Sequence, residues 1–403
     1  MKAAVVLVMM LMVCGVAAAD EWPTFKHDAQ RTGYGSFSGP ESAEVAWVFS
    51  ASSSLSSPAI SNYIVYAGSA DGYLHAVDVF NGKEIWSFNA GDAVSAPTVA
   101  DGRVYFGSLD NSVYCLDAAT GENKWKYPAE GAIHSSIAAA DDVVYATSTD
   151  NNLYALNAQT GVLLWKRSLE ARITSSPAVY GGKVFVGTWD GVVFAIATGN
   201  SESWRHQIGG GGALENYPIV SSPAVSGGVV YIGSNDNLYA LNAETGAGIW
   251  EFATEGQVSS SPTVAENTIY FGSEDGRVYA VDSNGAQKWS YETGGEVQSS
   301  PAIADNRVFI TSADGFLYSL DAGTGALVWK IQLGVMQGGS PAIAYEKAFV
   351  GTGDGRLYCI GDWGQVPGSD VGKGVIFLAA AALFFVLLWG LGKLKKPVEK
   401  KQS

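Results

Sequence analysis

Between residues 44 and 363 the chain repeats one pattern of apolar and polar positions. A stretch such as "SSPAI" leads into an apolar run such as "RVYFGS"; Asp with Gly or Asn follows, then "LYALNA", a "TG" pair, and a run ending near Trp. Short runs rich in Val, Ile, Tyr and Phe, bounded by Gly, Asn and Asp, predict strands joined by tight turns. No part of the unit has a 3.6-residue apolar period, so a solenoid of helices is excluded. Each unit therefore predicts four short strands and three turns.

The tryptophans set the period. Trp47, Trp86, Trp125, Trp165, Trp204, Trp250, Trp289 and Trp329 are separated by 39, 39, 40, 39, 46, 39 and 40 residues. A period near 40 filled with strands marks a propeller blade. The turn between the second and third strands carries Asp eight times, at Asp71, Asp110, Asp150, Asp190, Asp236, Asp275, Asp314 and Asp354. Each is followed by Gly or Asn, residues that tolerate the positive φ of a tight hairpin. Eight turns predict eight blades. Eight carboxylates on one face could ring a cation site, but capping of each turn by its own Asp accounts for both positions. At the third turn Asp and Asn interchange, so that position asks for an acceptor oxygen rather than a charge. The Trp that follows can pack on a neighbouring blade and give its N–H to a backbone acceptor.

One strand stands outside the repeat. "EVAWVF", residues 44 to 49, precedes the first unit, whereas the eighth unit ends at "YCIGDWG" without a Thr-Gly turn or a full fourth strand. The fold class is therefore all-β, an eight-bladed propeller closed by an N-terminal strand in the last blade, with pairing expected around Leu357 to Ile360. Glycine at 49 residues, 12% aromatics and only 16% charged residues suit such a turn-dense β protein.

The two ends predict membrane traffic. Residues 1–19 have one lysine, a long apolar run and Ala17-Ala18-Ala19, the features of a cleaved secretory signal. Residues 374–392 lack charge and lie between Lys373 and Lys393, enough helix to cross a bilayer. The basic tail, residues 393–403, places itself in the cytoplasm and the propeller outside, at the cell surface. The predicted order is signal 1–19, leader 20–43, propeller 44–363, linker 364–373, one C-terminal transmembrane helix 374–392 and cytoplasmic tail 393–403. Within residues 20–370 there are 17 basic against 38 acidic residues, a net charge of −21. Such a surface disfavours nucleic acid. Cys115 and Cys359 are 244 positions apart and two blades apart, which is beyond disulfide reach.

"YCLDAATGENKW", "YALNAETGAGIW" and "YSLDAGTGALVW" resemble the tryptophan-docking repeat of the PQQ-binding-like β-propeller family, and "WPTFKHDAQRTGYG" resembles the segment ahead of the propeller in its members. The resemblance implies the fold over residues 22 to about 363. One branch of the family, the quinoprotein dehydrogenases, would imply PQQ, calcium, an Asp base, a stacking Trp and adjacent bridged cysteines. Another, exemplified by the propeller lipoprotein of outer-membrane assembly, implies a non-catalytic protein-binding scaffold. The separated cysteines, and the lack of a cluster of Glu, Asn and Asp in the sequence to cage calcium, depart from the enzyme branch. The C-terminal helix departs from the lipid-tethered scaffold. No cofactor is expected, and a protein partner at the cell surface is.

The period breaks once. Between Trp204 and Pro223 lie extra residues in "RHQIGGGGALENYPI", which makes Arg205, His206, Glu215, Asn216 and Tyr217 the candidate partner-binding residues on the Asp-turn face. His134, ahead of "SSIA" near the channel mouth, is a further candidate. The four histidines are too scattered for a metal site, and no lysine follows the four glycines as a phosphate loop requires. No catalytic residue is assigned. The expected role is non-catalytic protein binding or scaffolding; a membrane-tethered PQQ-dependent oxidoreductase and a carbohydrate or cell-wall binder are the alternatives.

Overall fold

The computed structural model describes residues 21–208, 218–335 and 339–362. They form eight antiparallel four-stranded sheets, and among the described residues there is no helix. The signal segment 1–19, the helix expected at 374–392 and the tail 393–403 lie outside the described residues, as does the glycine run at 209–212. Blade 1 runs outward from the axis through Ala59–Ser61, Ile64–Gly68, Tyr73–Asp78 and Glu84–Asn89. Second and third strands are almost wholly buried, because neighbouring blades cover both faces. Outer strands such as Leu163–Ser168 alternate exposed and half-buried positions.

The Trp period is a docking register. Seven of the eight indoles donate Nε1–H to a carbonyl of the next blade's third turn, from Trp47 to Val79 at 2.7 Å through Trp86 to Ala118 at 3.1 Å. The glycine of that turn is a steric requirement. At Gly121, φ is +71° and a Cβ would stand 2.7 Å from the Trp86 ring; Gly161, Gly246, Gly285 and Gly325 meet the preceding blade's Trp in the same way. Trp329 is the exception, its Nε1 buried without an acceptor among the described residues. The carbonyl of Asp362, where the described residues end, accepts Lys347 Nζ at 2.7 Å.

The strand Val45–Ser50 is the outer strand of blade 8. It pairs antiparallel with Arg356–Ile360, in the register Trp47 to Cys359, Val48 to Tyr358 and Phe49 to Leu357. The N-terminal strand thus closes the ring as the missing strand of the last unit predicts. The Asp turns follow the expected geometry in seven blades, with positive φ at the Gly or Asn after Asp. Blade 5 differs: positive φ falls on Asn235, before Asp236, because its hairpin pairs out to Ser234 and Asn237 and leaves a two-residue loop.

Around the axis, seven blades are tied by one bond repeated six times. The backbone N–H of Ser136, Ser176, Ser222, Ser261 and Ser300 each meets the next blade's serine hydroxyl, and Ser340 reaches Ser57, all at 2.9–3.0 Å. Below this ring the leader fills the channel. Its carbonyls at Trp22, Pro23, Ala29, Gln30, Thr32 and Gly33 accept the N–H groups of Ile60, Val99, Val179, Val225, Val264 and Ile303. These belong to the inner strands of blades 1, 2, 4, 5, 6 and 7, whose free edges face the axis. Blade 3 is held by Arg31, fully buried, which donates to the carbonyls of Ser136 and Ile137. Lys26, also buried, donates to Ser261 O, Pro301 O and the Thr263 hydroxyl. The leader is a plug with two cations at its centre, a role that the resemblance of "WPTFKHDAQRTGYG" leaves unspecified.

Candidate functional site

With the leader closing one end, the open mouth of the channel lies on the face of the Asp turns. Its rim is built twice over from each blade. In the connection entering a blade, one residue offers its carbonyl to the N–H of the residue that opens that blade's Asp turn; the pairs are Ser54 with Ala70, Ala93 with Leu109, Ala132 with Thr149, Arg172 with Trp189, Gln257 with Glu274, Glu296 with Ala313 and Val335 with Gly353, at 2.8–3.0 Å. Backbone alone fixes these positions, so the side chains are free to differ. Alternation along each connection does the sorting. Ile133, Ile173, Val258 and Val297 point inward and are fully buried or nearly so, while their neighbours face the mouth.

Small side chains fill the rim in blades 1 and 2, and charge appears in blades 4, 6 and 7. Arg172 is exposed and stacks its guanidinium on the Trp189 ring at 4.3 Å. Trp189 is itself fixed by its Nε1–H to Thr174 Oγ1, 2.8 Å. Among the described residues Arg172 has no carboxylate partner, whereas most surface cations of this acidic protein are paired. A stacked guanidinium keeps its edge donors in a fixed fork, ready for a planar acceptor. His134 stands beside it, and burial together with the charge of Arg172 holds its imidazole below the usual range. Across the mouth, Gln298 spans Glu274 and Glu296 at 3.4 and 3.3 Å, and Ser259 donates to Glu274 at 2.9 Å. One sector of the mouth is cationic and aromatic, the other acidic.

The residues expected from the broken period do not share this place. Arg205 and His206 lie in the outer strand of blade 4, Glu202–Gln207, rather than in the loop beyond it. Arg205 is neutralised by Glu202 at 2.8 Å and lies over Phe194. His206 lines a cleft of about 540 Å³ with Tyr239, Ile249 and Trp250, between the outer strands of blades 4 and 5. The strand persists to Gln207 because its pairing with Val192–Ala197 does. Glu215, Asn216 and Tyr217 lie outside the described residues. Of the expected residues that are described, His134 sits on the rim, and Arg205 and His206 do not. Arg172 and Trp189 are the residues missed; Trp189 was the signal, a tryptophan far from the docking period.

The Asp turns are occupied locally. Asp150, Asp275 and Asp314 accept the N–H two residues on at 2.9–3.1 Å, and with Asp110 they also accept a tyrosine hydroxyl at 2.5–2.7 Å. Both thiols are free and buried, with burial pushing Cys115 up to about 11 and Cys359 up to about 12. Among the described residues no three His, Cys, Asp or Glu side chains converge to hold a metal.

Comparison with known proteins places the chain. No curated protein matches it in sequence. In structure it is similar to the BamB of Moraxella catarrhalis, 17% identical over 80% of this chain and 100% of that one, TM-score 0.69. It is also similar to a europium-containing methanol dehydrogenase, 14% identical over 85% and 98%, TM-score 0.73. A third is the quinohemoprotein alcohol dehydrogenase of Comamonas testosteroni, 16% identical over 87% and 82%, TM-score 0.74. At such identities the likeness is one of fold. A family model described as outer membrane protein assembly factor BamB matches residues 38–250, 190–297 and 235–366, nearly the whole propeller, and the chain belongs to that family.

Proposed function

We propose that this protein is a membrane-anchored, extracytoplasmic propeller that binds a protein partner at the open mouth and performs no catalysis there. The observation that carries the reading is Arg172: exposed, stacked on Trp189 and without a carboxylate, it faces the acidic pair Glu274 and Glu296 across the mouth. A partner surface with an acidic group over blade 4 and a basic group over blades 6 and 7 complements that pattern. The inserted segment is rooted beside it, since Ile208 and Ile219 bond to Gly191 and Thr188 in the turn that carries Trp189.

Crosslinking in native membranes tests this. Arg172→Ala is expected to lower recovery of the crosslinked partner by about thirtyfold, the cost of about 2 kcal/mol typical of an arginine hot spot. The melting temperature should move little, because the exposed side chain's contact with the fold is its stack on the Trp189 ring. Equal recovery from wild type and variant would sink the mouth as the docking site.

The rival reading is a tethered quinoprotein, supported by the likeness in fold to two dehydrogenases. Titration of purified residues 20–370 with PQQ and calcium is expected to give no stoichiometric uptake and no dye-linked alcohol oxidation. Tight uptake with turnover would replace the scaffold reading.

A further inference from the structure

The chain leaves the propeller at a defined place. Gly361 N–H donates to Glu44 O at 2.8 Å, and Asp362 accepts Ser42 Oγ at 2.9 Å and Lys347 Nζ at 2.7 Å. All these partners belong to the plugged face, opposite the Arg172 mouth. Lys347 follows directly on the first turn of blade 8, Tyr345–Glu346.

That turn and its counterpart in blade 1 are unlike the others. The first turn of every blade holds both central residues at positive φ, but these two place an aromatic there: φ is 50° and 58° at Tyr345 and Glu346, 49° and 61° at Asn62 and Tyr63. The same turns elsewhere use Gly, Asn, Asp or Glu. A bulky aromatic in the left-handed region costs of order 1–3 kcal/mol of backbone strain, so its presence twice in adjacent blades needs a return. The rings stack, Tyr63 on Tyr345 at 4.7 Å and on Phe80 at 5.3 Å, and Tyr63 is still 48% exposed. Lys83 and Lys347 flank them, whereas the turns of blades 2, 3, 6 and 7 carry Asp101, Asp141, Asp142, Glu266 and Asp305. One sector of this face thus carries an exposed aromatic turn with Lys83 and Lys347 beside Glu21 and Glu346, and it is the sector from which the chain departs.

Only residues 363–373 separate Asp362 from the apolar run beginning at Gly374. Eleven residues at ~3.5 Å each reach about 39 Å at full extension. We propose that the blade 8 and blade 1 sector of the plugged face, with Tyr63 at its tip, rests in the headgroup region of the membrane and turns the Arg172 mouth away from it. This rests on reading residues 374–392 as a membrane helix. Tyrosine suits the interface because its ring is apolar and its hydroxyl wet.

The test uses the full chain in phosphatidylcholine vesicles bearing a headgroup quencher, with a fluorophore at single introduced cysteines and the unsubstituted chain as background. Lys83→Cys lies in the proposed sector, Gln159→Cys on the same face across the ring, and Asp92→Cys on the mouth face of blade 1. Quenching is expected to be strong at 83, weaker at 159 and at background at 92. Tyr63→Gly, which relieves the strained turn, is expected to weaken quenching at 83. A chain washed from the vesicles by alkaline carbonate overturns the anchor and the orientation with it. A retained chain quenched as strongly at 92 as at 83 overturns the orientation alone, and unchanged quenching at 83 in Tyr63→Gly overturns the aromatic contact.

Discussion

A chain lacking residues 36–50 is expected to lose the single cooperative unfolding transition of the propeller. The deletion removes the outer strand of blade 8 and uncovers Leu357, Cys359 and Ile360, all buried in the closed ring. It also removes Trp47, whose indole lies on Gly82 and whose N–H satisfies Val79 O in blade 1. Loss of one buried Trp costs about 3–5 kcal/mol, already a large share of the about 5–15 kcal/mol that holds a typical domain. Contacts remain across the seam, notably the Ser340 to Ser57 bond and the stack of Tyr63 on Tyr345. They are too few to replace a strand. Trp47→Ala should fall between wild type and deletion. Denaturation followed by tryptophan fluorescence and by far-ultraviolet dichroism checks the expectation, and coincident transitions at an unchanged midpoint in the deleted chain would refute closure by this strand.

The repeat was legible because its contacts are made eight times. A glycine under six of the indoles and an Asp at all eight hairpins impose the same residue on copy after copy, and the period, the blade count and the spare strand follow from that imposition. Blade 5 shows the limit: its Asn235-Asp236-Asn237 turn reads like the others, yet pairing through Ser234 and Asn237 moves the positive φ forward. A two-residue loop and a longer one share the same residue types, and only the ladder distinguishes them.

The site was less legible, for the opposite reason. The rim residues are held by their own backbone bonds, so the fold places no demand on their side chains and no pattern marks them. Arg172 sits where other blades have Ser, Ala, Gln, Glu or Val. An insertion drew attention to Arg205 and His206, but strand pairing carries both residues past the point where the loop was expected to begin. The plug was hidden in the same way. Its carbonyls bond to inner-strand edges, an interaction that leaves no side-chain signature, and Lys26 and Arg31 look in the sequence like any solvated cations.

Arg31→Met is expected to destabilise the propeller by about 3–5 kcal/mol, more than any surface change in the molecule. The guanidinium gives hydrogen bonds to Phe25 O at 2.6 Å, Ile137 O at 2.9 Å, Pro177 O at 3.1 Å and Ser136 O at 3.3 Å, all in a buried site. Methionine fills the space and removes the cost of burying a charge, an effect that favours the variant. It also leaves the carbonyls of Phe25, Ser136 and Pro177 without this donor, each at about 1–3 kcal/mol, while Ile137 O keeps the Thr98 hydroxyl at 2.6 Å, and that loss is the larger. Lys26→Met should behave differently. Burial drives the Lys26 ammonium well below its ordinary 10.5, opposed in part by Asp28. Between that lowered value and 10.5 the unfolded chain holds a proton that the folded chain has released, so wild-type stability rises with pH in this window and falls as pH drops through it. Lys26→Met should remove the Lys26 share of that slope; Arg31, which burial lowers to about 9 and whose charge helps to lower Lys26, adds its own share above that value, and Arg31→Met removes it. Urea midpoints measured from neutral to alkaline pH separate the two, and an Arg31→Met midpoint equal to wild type would show that the plug hangs on its main chain alone.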